Sequence, residues 1–155
     1  EPLFLQRAID PPEGWAGVSV RVLLQREPEE EGRGIVVSNV VRRSRTDPVI
    51  NVHRGAEAAP AATVLSPFLC LQLEDAAQAV AEALGGVADI DLATEMGVDL
   101  VLNAQNIPVL IEANSRPRGR LEALAIAYPE AYALPHIEAC ARPLRYLSWW
   151  VERGL

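Results

Sequence analysis

Hydrophobic residues alternate with polar ones in the first half of the chain, which is the pattern of β-strands. In residues 18–24 every even-numbered position is apolar, which predicts a half-buried strand with Arg21 on its other face. Residues 35–41 predict a second strand, and the acidic run at 27–31 between them predicts an exposed hairpin turn. Two shorter strands are predicted at residues 3–9 and 49–52.

The second half of the chain mixes helical spacing with two further strands. Residues 54–67 show no periodicity and predict a loop. Ser66 and Pro67 then resemble a helix start, with serine as the cap, and Gly85 and Gly86 predict the end of that helix. The other predictions are strands at 98–103 and 107–113, a break at 115–120, and helices at about 121–127 and 135–153. This order predicts an α+β fold rather than a repeating βαβ unit.

The amino-acid composition excludes several kinds of active site and partner. The 155 residues allow one domain with a sizeable core or at most two very small ones, and the absence of an internal repeat or linker favours a single domain. All 14 basic residues are arginines, so the chain itself offers no lysine for a Schiff base, a general base or a phosphate-binding P-loop. The net charge of -7 argues against a nucleic acid or a membrane surface as partner, and no apolar run is long enough to span a membrane.

Cysteine and histidine are too sparse to form a recognisable site. Cys70 and Cys140 have no CxxC spacing, which predicts reduced thiols in a cytoplasmic protein. His53 and His136 are isolated, so a zinc site is not expected. The chain begins at Glu1 without an initiator Met or a signal peptide, so we expect that its start was cut by processing or that it is part of a longer polypeptide.

Oxygen ligands are concentrated in the two strands predicted at 98–103 and 107–113. If the hairpin turns tightly so that Ala104 pairs with Ile107, Asp99 lies directly opposite Glu112. Asn114 then shares their face, because side chains alternate with a period of two. A slip of one residue would move Asp99 to the other face, so the prediction depends on the register.

Two carboxylates and an amide oxygen suit Mg²⁺ or Mn²⁺ better than zinc. Because Mg²⁺ completes its shell with water and substrate phosphates, the predicted site suggests a nucleotide. The alternative is that Asp99 and Glu112 are ordinary solvent-facing charges. Opposed like charges on neighbouring strands repel each other, which slightly favours the metal.

The sequence GVDL at 97–100, followed by IEANSRP at 111–117, resembles the metal-binding signature of ATP-grasp enzymes. Other stretches resemble that superfamily in the same order along about residues 3–150, namely LQRAI at 5–9, SVRVLL at 19–24, NVHRG at 51–55 and RPLRYL at 142–147. The last is similar to the tail of the spore-coat-associated YheC/YheD-like branch. The branch that resembles the chain next best contains the ribosomal-protein glutamate ligases.

The resemblance implies a mainly antiparallel sheet flanked by helices, the C-terminal lobe of an ATP-grasp fold. It also implies ATP with Mg²⁺ (or Mn²⁺) as cofactors and Asp99, Glu112 and Asn114 as metal ligands. Arg21 would contact the transferred phosphoryl group or acyl-phosphate, and Gln6, Asn51 and Arg116 would line the nucleotide or substrate. Each of these four also has a plain alternative as an ordinary polar strand, turn or loop residue.

The implied reaction is ATP-dependent ligation of a small-molecule or peptide carboxylate to an amine through an acyl-phosphate. Related enzymes close over ATP with a preceding lobe that carries lysines and a glycine-rich loop, and we expect that lobe to lie outside this chain. The alternative is a non-catalytic descendant that binds a nucleotide or another protein. Substrate identity and a homo-oligomeric state stay open.

Two further groups of residues are predicted to be structural. The basic run formed by Arg42, Arg43 and Arg45 is interpreted as a solvated face. Trp149 and Trp150, in the last predicted helix, are interpreted as packing residues.

Overall fold

Five antiparallel strands form one sheet in the order β3-β2-β1-β4-β5. The structure is a computed structural model and describes residues 8–28, 34–50, 54–85, 93–117 and 121–154. Its strands are β1 (Gly17–Arg26), β2 (Gly34–Ser44), β3 (Glu57–Pro60), β4 (Glu95–Leu102) and β5 (Pro108–Asn114). Its helices are α1 (Ala61–Val64), α2 (Pro67–Gly85), α3 (Glu122–Ala127) and α4 (Pro129–Glu152). The predicted α+β class, with an antiparallel sheet flanked by helices, is confirmed.

One face of the sheet is covered by α2 and holds the larger core. The even-numbered apolar side chains of β1 and β4 point to this face, where they pack against Leu73 and Ala77 of α2. The start of α2 is as predicted, because the Ser66 hydroxyl accepts a hydrogen bond from the backbone N–H of Leu69 at 3.2 Å. Burial of these apolar side chains stabilises the central strands.

The opposite face of β1 is more buried than the alternation predicts. Leu23 packs with Leu121 and Leu124 around α3, and Gln25 is 1% exposed beneath α4. The Gln25 amide donates to the backbone oxygen of Ala139 at 2.6 Å, which ties β1 to α4. The prediction of a half-buried strand is therefore wrong for the end of β1, because two helices cover it.

The prediction for Glu27 is a second one that the structure corrects in this region. The acidic run was predicted to be an exposed turn, but the Glu27 side chain is only 17% exposed and accepts a hydrogen bond from Arg142 of α4. Arg142 also donates to the side-chain oxygen of Gln25 at 2.9 Å. The partner of Glu27 comes from more than 100 residues away along the chain, so a local pattern could not reveal it.

Several element boundaries also differ from the predictions. The stretch predicted as a loop at 54–67 contains β3, which pairs with β2, and the short helix α1. Helix α4 begins at Pro129 rather than at 135, with Pro135 and Pro143 inside it. Residues 49–50 are not in a strand, and the remainder of the strand predicted at 49–52 lies outside the described residues, as does most of the one at 3–9.

The two sheet faces differ in how completely the helices cover them. Helices α3 and α4 cover the far end of β1, whereas Glu112 and Asn114 of β5 remain exposed on the same face.

Of the helices in the described ranges, none is long and apolar enough to cross a membrane.

Candidate functional site

Asp99 of β4 lies directly opposite Glu112 of β5, as predicted. Gly97 lies opposite Asn114, which places Asn114 on the face that carries both carboxylates. The three predicted metal ligands therefore share one face of a single pair of strands. The pairing of Asp99 with Glu112 is confirmed, and their role in metal binding stays a prediction.

The hairpin reaches this register in a different way from the one predicted. Its tip is not a tight two-residue turn, because the N–H of Asn103 donates to the oxygen of Ile107 and Asn106 adopts a left-handed φ of 59°. Pairs near the tip are offset by one residue from the predicted register, as between Leu102 and Pro108. A β-bulge at Ile111 adds one residue and restores the pairing of Asp99 with Glu112.

Arg21 of β1 holds the Asp99 carboxylate with two hydrogen bonds. Its Nε donates to Oδ1 at 2.8 Å and its Nη2 donates to Oδ2 at 2.5 Å, a fork-to-carboxylate pair between directly opposed residues. Both side chains are 15% exposed. The arginine therefore orients Asp99 and balances its charge in a site with restricted access to water.

The pKa values of this pair move in opposite directions. Burial is the largest influence on Asp99 and would raise the pKa of its carboxyl, but hydrogen bonding to Arg21 and the positive charges of Arg21 and Arg42 outweigh it. The pKa of Asp99 is therefore lowered, and that of Arg21 is raised, mainly by its hydrogen bonds to Asp99. Asp99 thus stays ionised at neutral pH, as a metal ligand must.

Gly97 provides room for this arrangement. A Cβ atom at this position would lie 2.8 Å from the Cβ of Pro117 and 3.7 Å from the Nε of Arg21. Only a residue without a side chain lets the buried Pro117 approach the strand so closely, whereas the distance to Arg21 is that of an ordinary van der Waals contact. Pro117 in turn fixes the path of the chain just after Asn114.

Glu112 and Asn114 are the accessible part of the site. Both residues are exposed, and the side-chain oxygen of Asn114 accepts a hydrogen bond from the backbone N–H of Arg116 at 2.8 Å. This contact orients the amide, while its oxygen retains a second lone pair for another partner. Arg116 itself is exposed next to the predicted ligands.

The donor set fits a hard divalent cation. No three His, Cys, Asp or Glu side chains cluster in the part of the chain that the structure describes, so a soft N/S site has no support there. Asp99, Glu112 and Asn114 supply oxygen only, the donor type that Mg²⁺ prefers. The bidentate arginine leaves Asp99 further lone pairs, because an ionised carboxylate has about four acceptor positions.

Sequence reasoning missed the position of Arg42 on this face. The structure also does not describe two of the residues that the sequence proposed. Arg42 of β2 is half-buried and lies opposite Ser19, which puts it on the face of Arg21. The prediction of a solvated basic run is therefore wrong for Arg42, and only the pairing of β1 with β2 could reveal this. Gln6 and Asn51 lie outside the described residues.

Comparison with known proteins gives one match. The family model described as YheC/D like ATP-grasp matches residues 3–147. No curated protein and no solved structure matches the chain. The matched range includes the strands that carry Arg21, Asp99, Glu112 and Asn114.

Proposed function

Because this chain belongs to the YheC/D like ATP-grasp family, we propose that it is the nucleotide- and metal-binding lobe of an ATP-dependent carboxylate–amine ligase. The observation that carries the proposal is the shared face of Asp99, Glu112 and Asn114, with Arg21 locked on Asp99. Family membership supports ATP-dependent ligase chemistry in general terms. The assignment of these residues to the nucleotide and metal site is our own.

Asp99, Glu112 and Asn114 would hold Mg²⁺ (or Mn²⁺). The cation would neutralise charge on the phosphates of ATP. Asp99 is suited to this role because Arg21 keeps it ionised and fixed in orientation. Glu112 and Asn114 are suited because they are exposed on the face that carries Asp99.

The reaction proposed for this site proceeds through an acyl-phosphate. The carboxylate of a small molecule or peptide attacks the γ-phosphorus of ATP, and ADP leaves. An amine then attacks the acyl carbon and releases inorganic phosphate. Positioning and charge neutralisation suffice for both steps, so no covalent enzyme nucleophile is required. Arg21 adds positive charge beside the phosphates, and Gln6, Asn51 and Arg116 are proposed to line the nucleotide or substrate.

The proposal is tested by isothermal titration of the full-length protein with ATP, with and without Mg²⁺. We expect wild-type affinity to depend on Mg²⁺ and the Glu112→Ala variant to lose most of that dependence. Glu82→Ala is the matched control, because Glu82 is an exposed glutamate on α2, which packs on the other face of the sheet. Equal ATP affinity with and without Mg²⁺ in both wild type and Glu112→Ala would overturn the metal assignment.

A further inference from the structure

The outer side of α4 carries large apolar side chains that are exposed. On the inner side, Ala139 and Tyr146 are buried where the helix lies over the sheet. On the outer side, four large apolar side chains are each more than half exposed. Together with two small residues they form a row with steps of three and four residues, here named the α4 stripe: Leu134, Ile137, Ala141, Leu144, Ser148 and Val151.

The spacing of the α4 stripe is typical of a helix that pairs with another helix. Steps of three and four residues are the a and d positions of a heptad, which form a seam along one side of a helix. A helix that only covers a sheet needs one apolar face, and α4 already has one on its inner side. A second, exposed apolar row of this length therefore indicates a second partner. Pro135 and Pro143 lie off the stripe and do not interrupt it.

The order of large and small residues in the α4 stripe complements itself. When the stripe of a second copy runs in the opposite direction, Ala141 can lie opposite Leu144 of the second copy, and the two ends of the stripes then coincide. In this register Ile137 lies opposite Ser148 of the second copy. Each large inner side chain thus meets a small one, so the two helices can approach closely. The Ser148 hydroxyl can be satisfied by a backbone carbonyl of its own helix.

The charges beside the α4 stripe favour the same antiparallel arrangement. Glu138 and Arg145 flank the stripe along one edge, are about half exposed, and form an ion pair at 2.8 Å. Because equivalent edges face each other in an antiparallel helix pair, Glu138 of each copy would approach Arg145 of the other. In a parallel pair this edge would instead face the opposite edge, which carries no charge. That edge consists of Ala133, Cys140 and Leu147.

We propose that the α4 stripe is a homodimer interface, in which α4 packs antiparallel against α4 of a second copy of this chain. The stripe is about 26 Å long, and two helices paired over this length bury on the order of 1,000 Å² in total. This area is at the lower end for a specific interface, so the dimer is reversible, with a Kd of about 1–100 μM. No stripe residue belongs to the proposed metal and nucleotide site, so the interface does not depend on the proposed function.

Sedimentation equilibrium of the full-length protein tests the interface. We expect the wild type to dimerise and Leu144→Glu to raise the Kd by about tenfold or more, because it places a charge in the middle of an apolar seam. Leu71→Glu is the matched control, since Leu71 is a similarly exposed leucine on α2. It should leave the Kd within about twofold of the wild-type value. Far-UV circular dichroism should be unchanged in both variants, because each replaces an exposed side chain.

Two charge variants test the antiparallel direction of the pairing. Glu138→Arg makes both charges of the edge positive, and Arg145→Glu makes both negative, so like charges face each other when either variant pairs with itself. We expect each variant alone to dimerise about fivefold or more weakly than the wild type. An equimolar mixture of the two should recover a Kd near the wild-type value, because opposite charges then face each other. Mixing cannot restore an ion pair that lies within one chain.

Three results would each overturn the proposal. The first is a wild type that stays monomeric up to about 200 μM, as it would if another part of the full-length protein covers the stripe. The second is the same Kd for Leu144→Glu and Leu71→Glu, and the third is a mixture of the charge variants that associates no better than either alone. Failure of the proposed function would look different: ATP binding would not respond to Mg²⁺, while dimerisation would still depend on Leu144.

Discussion

Asp99 shows how one side chain can be largely buried and still ionised. Burial alone would favour its neutral form, yet the two hydrogen bonds from Arg21 and the charge of Arg42 hold its pKa below the usual value. Directly opposite it, Glu112 adds a second negative charge that either a cation or an arginine must balance. The charge state of the face therefore depends on Arg21.

We expect Arg21→Gln to destabilise the protein by about 2–4 kcal/mol at pH 7, because it leaves the Asp99 carboxylate buried without its counter-ion. The folded-state pKa of Asp99 is lowered, so its contribution to stability is full above the unfolded pKa of about 4 and is lost as the pH falls through the folded value. The loss in Arg21→Gln should therefore be smaller at pH 3 than at pH 7, as measured by urea unfolding.

Arg145→Gln is the control for this comparison, since Arg145 forms an exposed ion pair with Glu138. It should cost less than about 1 kcal/mol at either pH. A loss in Arg21→Gln that is the same at both pH values would contradict the role of Arg21 as the counter-ion of Asp99.

Residue spacing alone predicted part of this site. The opposition of Asp99 and Glu112, with Asn114 two residues further on, follows from the two-residue period of strands and a correct final register. The hydrogen bonds of Arg21 to Asp99 and the position of Arg42 did not follow from spacing, because they depend on how β1 pairs with β4 and β2. Such pairings join segments far apart in the chain.

At the scale of elements, the β4–β5 hairpin is held by features that a local pattern does not reveal. The bulge at Ile111 offsets the wider turn at Asn103–Asn106, so two deviations from the predicted hairpin cancel at Asp99. By contrast, the beginning of α2 was predictable because Ser66 caps a residue only three positions away. The edge strand β3 was missed because its Ala- and Pro-rich sequence is stabilised by pairing with β2.

The contact of Gly97 with Pro117 gives a prediction for this hairpin. Gly97→Ala should destabilise the protein by about 1–3 kcal/mol, because the new Cβ lies 2.8 Å from the Cβ of Pro117 and the backbone must shift. Denaturant unfolding measures this change. Gly97→Ala should also weaken Mg²⁺-dependent ATP binding, since the segment after Asn114 moves with Pro117.

Gly34→Ala is the matched control, because Gly34 is also a strand glycine and no heavy atom lies within 4 Å of an added Cβ. We expect its stability and ATP affinity to stay near wild type. If Gly97→Ala behaves like Gly34→Ala in both measurements, the close packing of Pro117 on β4 is not needed for the site.

The molecule as a whole is a sheet with two differently covered faces. Helix α2 covers one face with an apolar core, which the alternation in β1 predicted. On the other face, α3 and α4 cover the far end of β1 through Leu23 and the hydrogen bonds that join Gln25, Glu27 and Arg142. At the opposite side of this face, Glu112 and Asn114 of β5 stay exposed. The fold class could be predicted from the order of elements, whereas the buried polar contacts of α4 could not.

The most direct test of the metal and nucleotide site is an electron paramagnetic resonance titration of Mn²⁺ into the full-length protein in the presence of ADP. We predict that the wild type binds Mn²⁺ and that Glu112→Gln and Asp99→Asn each lower its affinity by about tenfold or more, because each removes a charged oxygen ligand. Glu82→Gln should bind Mn²⁺ as the wild type does. Wild-type Mn²⁺ affinity in both Glu112→Gln and Asp99→Asn would contradict the account.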